Sequence, residues 1–313
     1  MPDLPIPLPI VIVVGLLGGV FLAILLTART EWATVTEPAA SSGMPRYGWD
    51  DLLVHLGDQE ELADEFPELR QEFADDVMSR LKPWNGETAW RYAVWALLRR
   101  HLIPGLPGFW PDVDLDCRGS VQMPLDLGGC QIRHADFSEA YFPEDARFQG
   151  TVFTGDVTFE RAVFIRHALF QDARFGGEVD FERAVFAGNA LFRRAVVAGS
   201  ATFQAARFSA HADFAGARFD GPFAAIGAGF AGRTSFRDTR FGARAWFADA
   251  RFTGHADFSG ASCVDGFGPG RAWVRTNGAV VRAWPDGWTL DTTDRVLLRR
   301  PGRWAELNPG TKR

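Results

Sequence analysis

From residue 137 to residue 263, large apolar side chains recur at intervals that alternate five, six, five, six without a slip. Of the 24 positions so defined, 21 are Phe; the exceptions are Val197, Ala225 and Cys263. A small residue, usually Ala, stands two places before each, as in Ala162-Val163-Phe164 and Ala250-Arg251-Phe252. An α-helix cannot use this pattern, because a ring every five or six residues drifts around its cylinder. A single strand cannot use it either, since two-residue alternation breaks at each step. A solenoid can: each Phe fills the axis, each Ala yields to a neighbouring ring, and the intervening residues turn corners. The predicted axial stack includes Phe137, Phe148, Phe159, Phe170, Phe181, Phe192, Phe203, Phe214, Phe236, Phe247 and Phe258. Less regular units around Leu115, Val121, Leu127 and Ile132 add one coil upstream of the roughly six that the Phe repeats supply.

Two helical patterns precede the repeats. Leu62, Phe66, Leu69, Phe73, Val77 and Leu81 recur at three- and four-residue spacing, with Pro67 either kinking the helix or starting a new one. Trp90, Ala93, Val94, Leu97 and Leu98 form a second stripe, which Pro104 and Gly105 end. Such stripes serve either as the helices' own packing surface, here over the first coil, or as a partner-binding groove. Further upstream, residues 4–28 form a charge-free apolar stretch, densest over 10–26 and long enough to span a bilayer. A cleaved signal peptide would need a basic start, and the only early charged side chain is Asp3. With Arg29 and Arg46 after the span and no Lys or Arg before it, the positive-inside rule puts the repeats in the cytoplasm. Gly15 and Gly19 form a GxxxG pair that would let two such helices approach closely, although Gly is common in membrane helices.

With Ala135-Asp136-Phe137, Ala212-Asp213-Phe214 and Ala256-Asp257-Phe258, the repeat resembles the pentapeptide-repeat family, whose pattern is A-[DN]-[LF]-x-x. The resemblance covers residues 112–263 and implies an all-β core, a right-handed parallel quadrilateral β-helix. This chain departs from it by a sixth residue, often near Gly, at every second corner, as in Phe153-Thr154-Gly155-Asp156 and Phe230-Ala231-Gly232-Arg233. Four sides then take 22 residues. The segment Phe109-Trp110-Pro111-Asp112-Val113-Asp114-Leu115-Asp116, with the helices before it, is similar to an actinobacterial subgroup of membrane-attached members, which implies no chemistry for particular residues. The expected organisation is an extended start (1–9), a transmembrane helix (10–29), a linker (30–47), a helical cap (48–108), the β-helix (109–263), a carboxyl-terminal cap (264–300) and a flexible tail (301–313). Trp273, Trp284, Trp288 and Trp304 suit the second cap, which covers open strand edges, or alternatively an aromatic partner-binding face.

Charge and composition narrow the function. The net charge is −6, which gives no general attraction to nucleic acid. Between 134 and 263 there are 15 Asp or Glu and 14 Arg, so the rod lacks the dense negative field that a gyrase-binding DNA mimic needs. Cys117, Cys130 and Cys263 are too far apart for a metal motif and read as small apolar residues. His167, His211 and His255 fall in one column two coils apart, too distant to share a metal, and read as corner residues; His101 and His134 have no evident partner. No catalytic motif occurs. Arg174, Arg218 and Arg240 share one outward column and Arg207 and Arg251 another. These arginines are the candidate binding stripe for phosphate, lipid headgroups or an acidic partner, unless they are a solvated face paired with local acids. The expectation is a non-enzymatic, single-pass membrane scaffold without cofactor or metal, whose partners are the lipid bilayer and a protein. The alternatives are a homodimer formed through Gly15 and Gly19, and an enzyme with an unrecognised site.

Overall fold

The computed structural model describes residues 49–81, 88–119, 125–276, 282–285, 288–295 and 304–308. The expected transmembrane helix with Gly15 and Gly19, the linker and Val121 lie outside these residues. Among the described residues no helix is long and apolar enough to cross a membrane.

Because a Phe every five or six residues must point inward, the chain can extend for only two residues before it turns. The result is a solenoid of about seven coils, and from Ala135 to Cys263 each coil has four two-residue strands. Strands stack on those of the next coil in four sheets, and the main register is 22 residues: Val179 pairs with Val157 and Ala201, Val185 with Val163 and Arg207. We number the faces in chain order. Face 1 starts at Leu115–Asp116 and includes Ala135–Asp136; face 2 contains Tyr141–Phe142, face 3 Ala146–Arg147 and face 4 Val152–Phe153. The first coil is shorter, with Leu115 paired to Ala135 and Gln131 to Val152.

Inside, all 21 repeat Phe side chains are at most 2% exposed. Most rings lie over a Phe one coil away: Phe142 on Phe164 at 4.6 Å and 2°, Phe164 on Phe186 at 4.8 Å and 1°. Rings from faces 1 and 3 meet edge-on, as Phe148 meets Phe159 at 5.3 Å and 87°. Offset stacks and T-shaped pairs are the two arrangements that the aromatic quadrupole favours, worth about 0.5–1.5 kcal/mol each beyond burial. Thr151 and Thr239 replace the usual Ala and are accommodated because their hydroxyls donate to Leu127 O (2.7 Å) and Phe214 O (2.8 Å).

The two kinds of corner turn differently. Five-residue repeats turn through a left-handed residue every eleven positions, from Glu139 (φ 59°) and Gly150 (φ 64°) to Gly260 (φ 70°). The six-residue repeats place their extra residue in the other corners, where coils approach so closely that a Cβ on Gly232 would lie 2.3 Å from the Ala210 carbonyl oxygen.

The helices cover the first coil. The chain is helical over Trp49–Glu65 (α1), Arg70–Leu81 (α2) and Thr88–His101 (α3), with a 3₁₀ turn at Pro67–Leu69. Phe66 adopts an extended conformation (φ −116°, ψ 96°), as a residue before Pro prefers. That break resets the helical phase, which corrects the continuous stripe read from the sequence. Phe73, Val77 and Leu81 are buried, but Leu62 and Phe66 are exposed, and α1 instead buries Leu56, Glu60 and Ala63. Arg99 ties α3 to the first coil by donating to Asp126 O (2.8 Å) and Gly128 O (3.1 Å).

At the far end Trp284 packs on Phe252 and Phe258, and Trp288 on Phe247, Phe258 and Phe267. The flexible tail expected from 301 is corrected at Trp304–Asn308. This strand pairs antiparallel with Ala272–Arg275 and buries Trp304, Ala305 and Leu307, because face 2 ends in an edge that must be covered.

Ala225 breaks the Phe column of face 1 between Phe203 and Phe247, and Phe223 fills the space instead, 5.6 Å and 5.4 Å from those rings. The triplet Phe223-Ala224-Ala225 is thus the usual order reversed. Phe223→Ala alone is expected to lose about 3–5 kcal/mol to a cavity, and Ala225→Phe alone about 1–3 kcal/mol to overpacking. The double variant Phe223→Ala/Ala225→Phe restores the regular triplet and is expected to melt close to the parent; thermal denaturation of all three checks this.

Candidate interaction surfaces

Two-residue strands leave one outward side chain per face and coil, so the exterior is a set of columns. The candidate arginines fall into two of them. Arg174, Arg218 and Arg240 lie on face 4, with Val196 between the first two. Arg207 and Arg251 lie on face 2, either side of Gly229. Faces 2 and 4 are opposite sides of the coil, so the five do not form one stripe. Arg218 pairs with Asp220, and Arg251 donates to Gly227 O (3.0 Å).

Charge is segregated around the rod, although its sum is nearly zero. Between 134 and 263, face 1 with its flanking corners carries Asp136, Glu139, Asp156, Glu160, Glu178, Asp180, Glu182, Asp220 and Asp249 against Arg161, Arg183 and Arg244. The remaining acids, six in number, share the other three faces with eleven arginines. Along face 1 runs a groove of about 590 Å³, lined by Asp75 of α2 and by Asp114, Asp116, Asp136, Asp156, Glu178 and Asp180, with Arg118 and His134 as its basic residues.

Some of these acids have structural partners. His134 N–H donates to Asp114 Oδ1 (3.1 Å), Asp156 N–H to His134 Nδ1 (2.9 Å) and Glu178 N–H to Asp156 Oδ1 (2.8 Å). Each corner side chain therefore accepts the backbone N–H of the next coil. His167 does the same for Asn189, and Asn189 for His211, so the histidine column is a hydrogen-bond ladder. Arg118 pairs with Asp116 (2.9 Å) and Asp136 (3.5 Å), and Arg133 with Asp114 (2.8 Å).

Asp180 accepts the backbone N–H two residues on, as Asp136, Asp213 and Asp257 do at the same place in their repeats. Burial pushes its carboxyl above the ordinary Asp range, and the charges of Glu182, Glu160 and Glu178 push it further, against one bond from the Glu182 N–H at 2.6 Å. A carboxylate whose folded-state pKa is raised destabilises the fold once it ionises.

A second charged group lies in the helical cap. Glu60 and His101 are each 2% exposed and hydrogen-bonded to each other, and Arg100 pairs with Glu60. His101 Nδ1 lies 2.6 Å from Gly108 O, and its ring stacks on Trp110 at 3.8 Å. Trp110 donates to Asp64 Oδ1 (2.9 Å). This cluster locks α1, α3 and the strand entry together. The sequence hides it, because its partners are 41 residues apart and a Glu at a core position reads as surface. Burial opposes ionisation of Glu60, but hydrogen bonds and charge from His101 and Arg100 outweigh it and hold the carboxyl below its ordinary range.

Cys117 and Cys130 are buried, and burial pushes the Cys130 thiol up to about 12; Cys263, in the last regular coil, is only half-buried. Among the described residues no group of three or more His, Cys, Asp or Glu side chains could hold a metal ion.

Because the folded-state pKa of Glu60 is depressed, its contribution is present above the unfolded value and lost as pH falls through the folded one. Glu60→Gln is therefore expected to lower the melting temperature at neutral pH and to flatten its decline below about pH 4. Melts from pH 7 to pH 3 check this.

A family model for pentapeptide repeats (9 copies) matches residues 137–185, 181–223 and 226–262. Searches of curated proteins and of solved structures return no match. The matched segments fall on the coils built from the regular Phe columns, and the solenoid is accordingly made of pentapeptide repeats.

Proposed function

We propose that this chain is a non-enzymatic scaffold, anchored in the cell membrane by residues 10–29, that presents the acidic groove of face 1 to a cationic segment of a protein partner. The observation that carries the reading is the concentration of acid on face 1 and its corners, where nine of the fifteen Asp and Glu between 134 and 263 stand with only three arginines beside a groove of about 590 Å³. The anchor is supported by the charge-free stretch at 4–28, and the cytoplasmic placement of the rod by Arg29 and Arg46. The Phe109–Asp116 segment and the preceding helices are what link the chain to the membrane-attached subgroup.

Asp180→Asn is expected to raise the melting temperature at pH 7. In the triple variant Asp136→Asn/Glu178→Gln/Asp180→Asn, proteins recovered by proximity labelling in native membranes should be lost, whereas Arg218→Ala/Arg240→Ala should retain them. Equal recovery with the triple variant would sink the groove as the docking surface and return attention to the arginine columns.

The anchor is tested separately. Alkaline carbonate should leave the full chain in the membrane pellet, and removal of residues 1–29 should release it.

A further inference from the structure

Charge is also segregated along the rod. Residues 49–192 carry 26 Asp or Glu and 13 Lys or Arg, a balance of −13, whereas residues 193–313 carry 10 and 18, a balance of +8. The division falls within the stack, so the half with the helices and the groove is acidic and the far half basic. On the basic half, arginines gather on face 4 and its two corners. Arg218 and Arg240 are in register on consecutive coils, and Arg237 and Arg244 stand exposed at the corners on either side of Arg240. Arg218 pairs with Asp220 and Arg237 with Asp238, and Asp265 is the third acid of this surface. Among the described residues Arg240 and Arg244 make no ion pair. Beside them stands Val264, at 70% the most exposed large apolar side chain among the described residues. Its N–H donates to Phe241 O, which sets it over Gly242.

A planar anionic surface fits this order. A long polyanion lying along the rod would meet the acidic half as well. A second copy laid on face 4 would find no acid in its outward column, which runs from Gln131 to Ser262 without one. A bilayer touches one end only, and near a negative surface a rod with separated charge turns its basic end inward. Arginines at the headgroups with an exposed apolar side chain beside them also suit the boundary between headgroups and acyl chains. The cytoplasmic leaflet is the anionic one, and the anchor proposed above brings it within reach. Fully extended, residues 30–48 cover about 65 Å, more than the roughly 34 Å of seven coils spaced at about 4.8 Å. We infer that the basic half docks through face 4 on the anionic leaflet of the membrane that holds the anchor, with the acidic half turned away. This docking rests on the anchor for the presence of a bilayer and on the charge order for everything else.

The test uses the full chain with Cys263→Ser, since Cys117 and Cys130 are buried. A fluorophore is attached at Ser262→Cys or, as a control in the acidic half, at Thr154→Cys. Each chain is reconstituted with vesicles that carry a short-range quencher on a headgroup. Quenching at 262 is expected to be several-fold stronger with phosphatidylserine present than with phosphatidylcholine alone, and to fall back at about 0.5 M salt. Quenching at 154 should stay weak in both. Arg218→Gln/Arg240→Gln/Arg244→Gln should bring 262 to the neutral-vesicle level with an unchanged circular dichroism melt; if that variant does not fold, the parent's response to lipid charge and salt decides. Equal quenching at 262 in neutral and anionic vesicles, or equal quenching at 154 and 262, would overturn the inference. Contact in native membranes but not in protein-free anionic vesicles would overturn it in favour of an acidic protein. Flotation of the same samples reports the anchor separately: a chain that floats with anionic vesicles only would remove the anchor and leave the docking.

Discussion

Everything in the rod depends on the stacking of one coil upon the next. Parallel strands lie about 4.8 Å apart, so any residue sits directly over the one 22 positions away. Inside, that spacing is close to the distance at which aromatic rings stack, and Phe over Phe satisfies it in every column. Outside, the same rule is a hazard, because like charges in one column would repel at close range. The exterior columns avoid this in recognisable ways. Opposite charges follow one another where Arg161 meets Glu139 and Arg194 meets Asp172. A neutral residue intervenes on face 1, where Thr158 separates Asp136 from Asp180. Arg218 over Arg240 and Arg161 over Arg183 depart from this regularity, as does the group of Asp180, Glu160, Glu178 and Glu182, where burial and its neighbours push a carboxyl up.

The sequence reveals what the interior requires. A Phe every five or six residues admits one solution, and the 22-residue register follows from it. What it leaves hidden is whatever depends on which side chains become neighbours. Phe223 reads as an extra ring beside a defective position, and only the stack shows that it fills the space Ala225 leaves. Glu60 and His101 look like surface residues until two helices bring them together. Counting charges along the repeat gives near-neutrality, whereas their division between face 1 and the rest needs each residue assigned to a face. That signal was present in the sequence, since writing the chain in rows of 22 separates the faces. The helical stripe failed for a different reason: Pro67 and the extended Phe66 shift the phase, and periodicity counted across a break carries no direction.

The division of labour between interior and exterior bears on function. Interior positions are fixed by the residues one coil above and below, so they carry no information about partners. Outward positions are constrained by charge, by turns in which an outward Asp, Thr or Ser accepts the N–H two residues on, and by the corner ladder, in which Asp, Asn or a His ring nitrogen accepts the next coil's N–H. The arginines on opposite faces and the acidic groove are therefore separable features of one exterior. Each can change without disturbing the stack, so the rod holds chemically distinct sides in fixed register.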